Sequence, residues 1–484
     1  MNLKTILVKN YKSVESLEIE IDEIEKSFTY SLLGINESGK SSILKGISFF
    51  EEGTVNFPSD FHNIDEPIEI VFKYELEDVD IKEFKDELSK NHSFDKELLN
   101  KISLKEIELF AQYSNSNPAT FVRFEVLNFK ETIFTNYTYH ATEKKPVKKT
   151  KPEEPDFELE SFFDENLVDY FYDKSHFIVF WQSTPEFLLL DDIDLTTFAA
   201  DPTQVSIPLK NCFLLAGITK DKILPEINKL TNNVAINSLQ TKLSDFTTQH
   251  INELWPEHPI TITFQISNKK ISLLIEDNGI KYSPKTASQR SDGFKQFLSF
   301  LLTISVENKG SELENTILLI DEPETHLHPP AQLNLMNELI NISSNNKKNI
   351  VFYATHSNYM IDKNFLNRNY KVVKIKNKNT KVQKILGKTT SYAEVNYNIF
   401  GILTSDYHNE LYGFIEAEDK NKLDALIKDR KWFNTKSNKE IDVSLSEYIR
   451  HSIHHPENTK NKKFTDKELS KSIEILIATK ESIK

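Results

Sequence analysis

Cysteine is almost absent: Cys212 stands alone in a chain of 484 residues. No intrachain disulfide can form, and a cysteine-based zinc or iron–sulfur site is excluded with it. Long apolar runs are missing too. No stretch approaches the ~18–20 apolar residues that cross a bilayer. The opening MNLKTILVKNYKSVE threads Lys4, Lys9 and Lys12 through its apolar residues and offers no small-residue cleavage site, so no signal peptide is read there. These absences point to the cytoplasm and away from a membrane. An excess of positive charge is also lacking: 59 Lys+Arg against 73 Asp+Glu leave a net −14. That argues against a general nucleic-acid coat while leaving room for a local basic groove. No repeat of 20–50 residues is evident, and the longest heptad candidate, Asp221–Leu254, is too short for a long coiled coil. What is present, 38% hydrophobic and 27% charged residues, is the composition of a globular chain large enough for several domains.

Leu3, Ile6 and Val8, then Leu17, Ile19 and Ile21, carry strand-like patterning. The apolar run Phe28–Leu33 leads into a glycine-bearing loop. SSILKGISFFEE from Ser41 reads as a helix with Ile43, Leu44 and Ile47 on one side, and Pro67–Leu76 as another strand. Residues 78–278 mix helix and strand signals: a helical stretch over Asp221–Leu254 closed by Trp255-Pro256, then strands Ile260–Ile266 and Ile271–Ile275. Within them Glu143–Asp156 holds three prolines, five lysines and four acids, with Val147 its one sizeable apolar residue. Such a segment is expected to be a mobile surface loop, because it buries too little to offset its ordering entropy. From Thr286 strand and helix alternate again. Ile317–Ile320 and Ile350–Ala354 are continuous apolar runs, as in strands buried on both faces. Tyr370–Lys376 and Lys381–Leu386 flank Asn377–Thr380 as a hairpin, and the tail from Tyr392 reads as helical.

Gly34-Ile-Asn-Glu-Ser-Gly39-Lys40-Ser41 fits G-x-x-x-x-G-K-[ST] at every fixed position. Gly34 and Gly39 let the backbone turn its N–H groups inward as a nest for phosphate oxygens. The helix that follows adds its positive end. Lys40 can reach the outer phosphates of ATP, and Ser41 offers a hydroxyl to Mg2+. Asn36, Glu37, Ser38 and Ser42 complete the loop. In ILLIDE, four apolar residues run straight into Asp321 and Glu322. A strand ending so sets Asp321 beside the loop as a second Mg2+ ligand, and Glu322 to orient or deprotonate the attacking water. His356 follows the next buried run and is placed to meet a γ-phosphate.

Together these elements resemble the ATP-binding-cassette class of P-loop ATPases, in the branch of the chromosome-maintenance and overcoming-lysogenization-defect ATPases. NYKSVESLEIEI resembles their first strands, LLGINESGKSS their Walker A, ILLIDEPETHLHP their Walker B with the following loop, and ATHS their switch-histidine segment. Ser288–Gln296 resembles a degenerate signature motif, with Ser291 and Gly293 in the signature positions. The resemblance, which covers roughly the first 75 residues and residues 286–390, implies an α/β fold: an ATPase head of mixed sheet around the P-loop. With the patterning of the remaining segments, read as an α+β insertion and a helical C-terminal region, the chain divides into a Walker A lobe (1–77), an insertion (78–278), the signature, Walker B and switch half of the head (279–390) and a C-terminal domain (391–484). The resemblance also implies ATP and Mg2+ as cofactors, and heads paired as a homodimer or higher oligomer in which Ser291 and Gly293 of one copy face the γ-phosphate held by Lys40 of another. Among bacterial anti-phage systems it is similar to the ATPases of Septu and of retrons with Septu-like effectors, which work with a separate nuclease, often of HNH type.

The C-terminus lacks the glycine and the Asp-x-Asp of a Toprim nuclease, so Glu416, Glu418 and Asp419 read as a solvated helix face. Arg450 and His455 fit the R-x4-H spacing of HEPN ribonucleases, with a helix end closed by Pro456 as the structural alternative. Lys363–Lys388 holds eight lysines, one arginine and no acid. It reads either as a nucleic-acid groove or as a solvated hairpin guarding a sheet edge. Three functions follow: an ATPase subunit regulating a nuclease, a ribonuclease toxin under ATP control, or a DNA-repair ATPase, the last weakened by the missing heptads.

Overall fold

Alternating apolar residues in the first strands build one half of a sandwich. In the computed structural model, which describes residues 1–140, 142–143, 145–254, 259–280, 283–304, 314–325, 327–344, 348–375, 379–386 and 391–483, five strands form an antiparallel sheet. Its order is Val14–Glu20, Asn2–Tyr11, Ile68–Glu75, Glu106–Tyr113 and Phe121–Leu127. Ile6 lies opposite Ile19 and Phe72, and Val8 opposite Leu17 and Ile70, so the apolar residues share one face. The odd spacing from Leu3 to Ile6 is absorbed by a register shift between Leu3 and Thr5, which keeps both side chains buried.

A second sheet carries the chemistry-bearing segments. Its order is Phe177–Gln182, Thr316–Asp321, Ile350–Thr355, Thr29–Leu33, Asn369–Lys374 and Thr380–Lys384. The first five run parallel and the last returns antiparallel. The three inner strands at 316–320, 350–355 and 29–33 are buried throughout, and with both faces covered the runs Ile317–Ile320 and Ile350–Ala354 are apolar without a break. Their side chains divide by parity. Ile317, Leu319 and Phe352 join the core that holds Ile6, Val8 and Ile43. Leu318, Ile320, Val351 and Tyr353 join a second core with Leu243, Leu298 and Leu339. The Lys40–Ser48 helix places Ile43, Leu44 and Ile47 in the first core, where they meet residues of both sheets.

Residues 78–278 are woven into these sheets: Glu106–Tyr113 and Phe121–Leu127 extend the antiparallel one, and Phe177–Gln182 edges the parallel one. The remainder of that stretch includes the Lys220–Asn228 and Asn233–Leu254 helices and the hairpin Ile260–Ser267 with Lys270–Asp277. The stop at Trp255-Pro256 lies outside the described residues, as do Ala141, Lys144, Lys376–Lys378 and Lys388. The loop expected over Glu143–Asp156 is corrected. Lys145–Lys148 pairs antiparallel with Tyr137–His140, and Pro146 is buried. A composition-based reading counts only the segment's own apolar residues. Here Tyr137 supplies the buried ring, and Lys148 and Lys149 pair with Glu97 and Asp156. Proline costs nothing on the outer edge of a two-stranded ladder.

Residues 1–360 and 367–385 form one compact unit, and residues 361–366 and 386–484 a second. The second unit packs the Ser405–Asp424, Leu445–His454 and Asp466–Glu481 helices around Leu411, Ile415, Ile449, Ile473 and Leu476. It is not wholly helical: Arg430–Asn434 and Lys439–Val443 form a hairpin.

Candidate functional site

Register sets the site. Thr355 lies level with Leu33, and Asp321 with Ala354, so the ends of three parallel strands deliver Gly34, Glu322 and His356 to one rim of the sheet. The loop 34–39 turns there into the Lys40–Ser48 helix. A Cβ on Gly34 would collide with the Val372 carbonyl oxygen and the Ser38 hydroxyl. Gly39 has φ +106° and lies against the Thr380 hydroxyl, so neither position admits a side chain without strain. The Lys40 side chain is buried, and its ammonium donates to the carbonyl oxygens of Gly34 (3.0 Å) and Ile35 (3.2 Å). Its Nζ also lies 2.9 Å from His356 Nε2, and that nitrogen lies 2.9 Å from Glu322 Oε1. Loop, helix start, Glu322 and His356 line a cleft of about 460 Å³ that also takes in Asn36, Glu37, Ser38, Ser41 and Ser42.

Burial drives the electrostatics. It lowers the Lys40 pKa against the opposing pull of Glu322 and Asp321. It raises that of Asp321, opposed first by a hydrogen bond from Ser41. His356 is held below the usual imidazole value by burial and then by the Lys40 charge. Two oxygens at this rim are buried without a hydrogen-bond partner, Ser38 Oγ and Asp321 Oδ1. Buried polar atoms left so are costly unless a ligand completes them. Ser41 and Asp321 are hard oxygen donors that touch each other, the chemistry of an Mg2+ site completed by phosphate and water. Among the described residues there is no cluster of three or more His, Cys, Asp or Glu able to hold a metal by itself.

Several residues at or around the cleft escape a reading by motif. Lys12 and Ser13, from the turn between the first two strands, line the cleft, as does Lys374. Thr380 donates to Ser13 Oγ (2.7 Å) and approaches the Ser38 carbonyl oxygen (3.1 Å), bracing the loop from outside. Gln182 sits level with Asp321 on the neighbouring strand. Glu324 is buried and accepts from the Thr355 hydroxyl (2.6 Å) and the His356 amide (2.9 Å). The one sequence signal for Lys374 and Thr380 is the basic run in which they lie. The fold sets Lys374 of that run in the cleft lining, a position that neither the groove nor the solvated-hairpin reading of the run contains.

Other expected residues lie elsewhere. Ser291 and Gly293 do not line this cleft. Ser291 is exposed at the start of the Asp292–Ile304 helix, where its hydroxyl accepts from the Phe294 amide (3.3 Å). The segment ahead of it is pinned by Arg290, whose guanidinium makes two bonds to Asp277 (2.6 and 2.9 Å). Arg450 and His455 are each engaged locally. Arg450 bonds Glu416 (3.1 Å) and covers the Tyr412 ring, while His455 bonds Glu457 (3.3 Å). No helix among the described residues is long and apolar enough to cross a membrane.

Residues 1–361 match a family model described as the AAA ATPase domain. An uncharacterized protein of Methanocaldococcus jannaschii is 30% identical over 125 residues, 24% of this chain and 31% of that protein. The chain therefore spans about a third of the length of the curated relative it matches. Two solved structures are similar at low identity. One is an Smc head bound to the C-winged helix domain of ScpA (14% identity, 80% of this chain and 98% of that one, TM-score 0.39). The other is the SMC head domain from Thermotoga maritima (15%, 80% and 100%, TM-score 0.33).

Proposed function

Since the chain belongs to the AAA ATPase domain family, we propose that it binds ATP in the cleft of Gly34–Ser41 and hydrolyses the bond to the γ-phosphate. The observation that carries this reading is convergence. Residues 34–42, 321–322 and 356 come from three distant segments and meet at one sheet rim, beside two buried oxygens that lack partners. The loop N–H groups, the helix start and Lys40 form the phosphate cradle. Lys40 exchanges the carbonyl oxygens of Gly34 and Ile35 for phosphate oxygens. Ser41 and Asp321 would hold Mg2+, which when bound offsets phosphate negative charge. Glu322 orients a water and accepts its proton. His356, released from Lys40, donates toward the γ-phosphate.

The sequence resemblance extends the reading. Heads pair so that Ser291 and Gly293 of one copy meet the nucleotide of another, and the pair regulates a separate nuclease of HNH type in anti-phage defence. The exposure of Ser291 and its absence from its own cleft support the pairing. Calorimetry, phosphate release and sedimentation with wild-type, Lys40→Ala and Glu322→Gln proteins form the test. Lys40→Ala should lose ATP binding. Glu322→Gln should bind without turnover and sediment faster with ATP. Unchanged ATP affinity in Lys40→Ala would falsify the site, and an unchanged sedimentation rate in Glu322→Gln would end the pairing.

A further inference from the structure

Behind the catalytic rim lies a carboxylate that no step above uses. Glu324 stands two residues beyond Glu322 and is 6% exposed. A single oxygen, Oε1, accepts both the Thr355 hydroxyl (2.6 Å) and the His356 N–H (2.9 Å), and Thr355 Oγ1 accepts in turn from the Ser357 amide (2.9 Å). The second oxygen, Oε2, is buried with no partner. One further bond joins the same two turns and another fastens the second turn to the Pro329–Ile342 helix. The Glu322 amide donates to the Ala354 carbonyl (3.0 Å), and the Ser357 hydroxyl donates to Gln332 Oε1 (2.5 Å). The turn carrying Glu322, at φ 50°, and the turn carrying His356 are thus tied together, with Glu324 as the central tie. Hydrogen bonds to one fixed acceptor set direction as well as distance. A displacement of about 1 Å at a reacting group can cost about 100-fold in rate.

We propose that Glu324 is the positioning residue for His356, holding the imidazole in register with Glu322 and Lys40 through hydrogen bonds that need an oxygen acceptor and not a charge. It stands outside the cleft lining and acts through Thr355 and the His356 backbone. The proposal rests on the ATPase reading above for its catalytic consequence, and on the geometry alone for the tie itself. A glutamine presents the same acceptor oxygen, and its amide takes the place of the unpartnered Oε2. A methionine keeps the volume and removes both acceptors.

The test compares Glu324→Gln, Glu324→Met and Thr355→Val in the full chain. Steady-state turnover and ATP affinity are measured beside the imidazole nitrogen resonances of 15N-histidine-labelled protein, with the His356 signal assigned through His356→Asn. Glu324→Gln should keep turnover within about threefold. Glu324→Met should lose about 100-fold in kcat with little change in ATP affinity, and its His356 signal should move. Thr355→Val, a milder change that still folds if the methionine variant does not, should lose about tenfold. Glu324→Gln falling as far as Glu322→Gln would overturn the proposal, because the charge would then be required. So would an unmoved His356 signal with undiminished kcat in both Glu324→Met and Thr355→Val. Were wild-type protein to neither bind nor hydrolyse ATP, the ATPase reading would fall, and the His356 resonance in the nucleotide-free variants would still decide whether the tie exists.

Discussion

The cleft at Lys40 and the surface around Arg450 both carry strings that read as catalytic, yet they are built differently. At the cleft, Lys40 comes from a segment about 300 residues ahead of those carrying Glu322 and His356, and His356 contacts both, with Lys40 buried. Around Arg450 the partners are Glu416, on a helix packed alongside, and for His455 its neighbour Glu457, both acids exposed. A short spacing on one helix is satisfied by whatever lies nearby. Convergence from distant segments has to be specified by sheet register. Matching a string is therefore weaker testimony than the meeting of independent strings, and the ribonuclease reading of Arg450 and His455 gains nothing from the structure that a surface ion pair would not also give.

The largest effect expected from this contrast is on ligand binding. Lys40→Ala should weaken ATP binding by 100-fold or more, since charge-assisted bonds to phosphate are each worth roughly 1.5–3 kcal/mol. The double substitution Arg450→Ala with His455→Ala should leave ATP binding and turnover unchanged and yield no RNA cleavage to abolish. Calorimetry and a labelled-RNA assay on the two proteins check this. RNA cleavage by wild type that vanishes in the double variant would reverse the comparison.

Next in size is pH. Among the described residues, each unit has a buried histidine whose hydrogen-bond partners are neutral. His176 accepts from Tyr74 and donates to the Lys348 carbonyl, and His408 donates to Ser472, which donates to Ser446. Burial pushes both pKa values down to about 4. A depressed folded-state value means stability that is complete above the ordinary imidazole value near 6.5 and is lost as pH falls towards the folded value. Moving from pH 7 to pH 5 should cost each unit roughly 2 kcal/mol. Urea unfolding at both pH values, followed by Trp181 fluorescence for the first unit and Trp432 for the second, measures the loss in each. Equal midpoints at pH 7 and pH 5 would refute it.

A smaller effect separates activity from stability inside the cleft. Burial raises the Asp321 pKa, so its charge opposes folding of the ligand-free protein once pH rises through the folded value, and its stabilising contribution is present only below the ordinary carboxyl range. Asp321→Asn should raise the thermal midpoint of nucleotide-free protein by a few degrees while abolishing Mg2+-dependent turnover. A lowered midpoint would argue that Asp321 is structural. Smallest of all is the surface pair. Arg450→Ala alone should shift stability by about 1 kcal/mol or less, by the usual worth of exposed ion pairs.

What was legible beforehand follows the same division. Gly34–Ser41 could be read because one contiguous string holds every part of the loop, and its glycines meet physical obstacles at Val372 and Thr380 that no sequence string contains. Asp321, Glu322 and His356 could be read because strands buried on both faces leave unbroken apolar runs ahead of them. Ser13 and Lys374, which line the cleft, and Gln182 and Thr380, which stand beside its parts, could not, since ordinary residue types arrive there only through the folding together of segments far apart in the chain. Glu324 was hidden by its company: beside Asp321 and Glu322 a third acid reads as a polar turn, and only its burial and its two donors distinguish it. Pro146 misled in the other direction, because its strand takes its buried partner, Tyr137, from outside the segment.

The bracing of the phosphate loop by Thr380 has a consequence for biosynthesis. Within their unit Lys12 and Ser13 are synthesised early and Thr380 late, and the Ser13–Thr380 bond closes over nearly the whole of that span. A nascent chain arrested anywhere short of this point carries the glycine loop intact and lacks the outer support, so ATP added to stalled ribosome complexes should protect only chains that have emerged past residue 380. The nucleotide would then act as a late ligand, rewarding completed molecules and leaving truncated ones exposed to proteolysis.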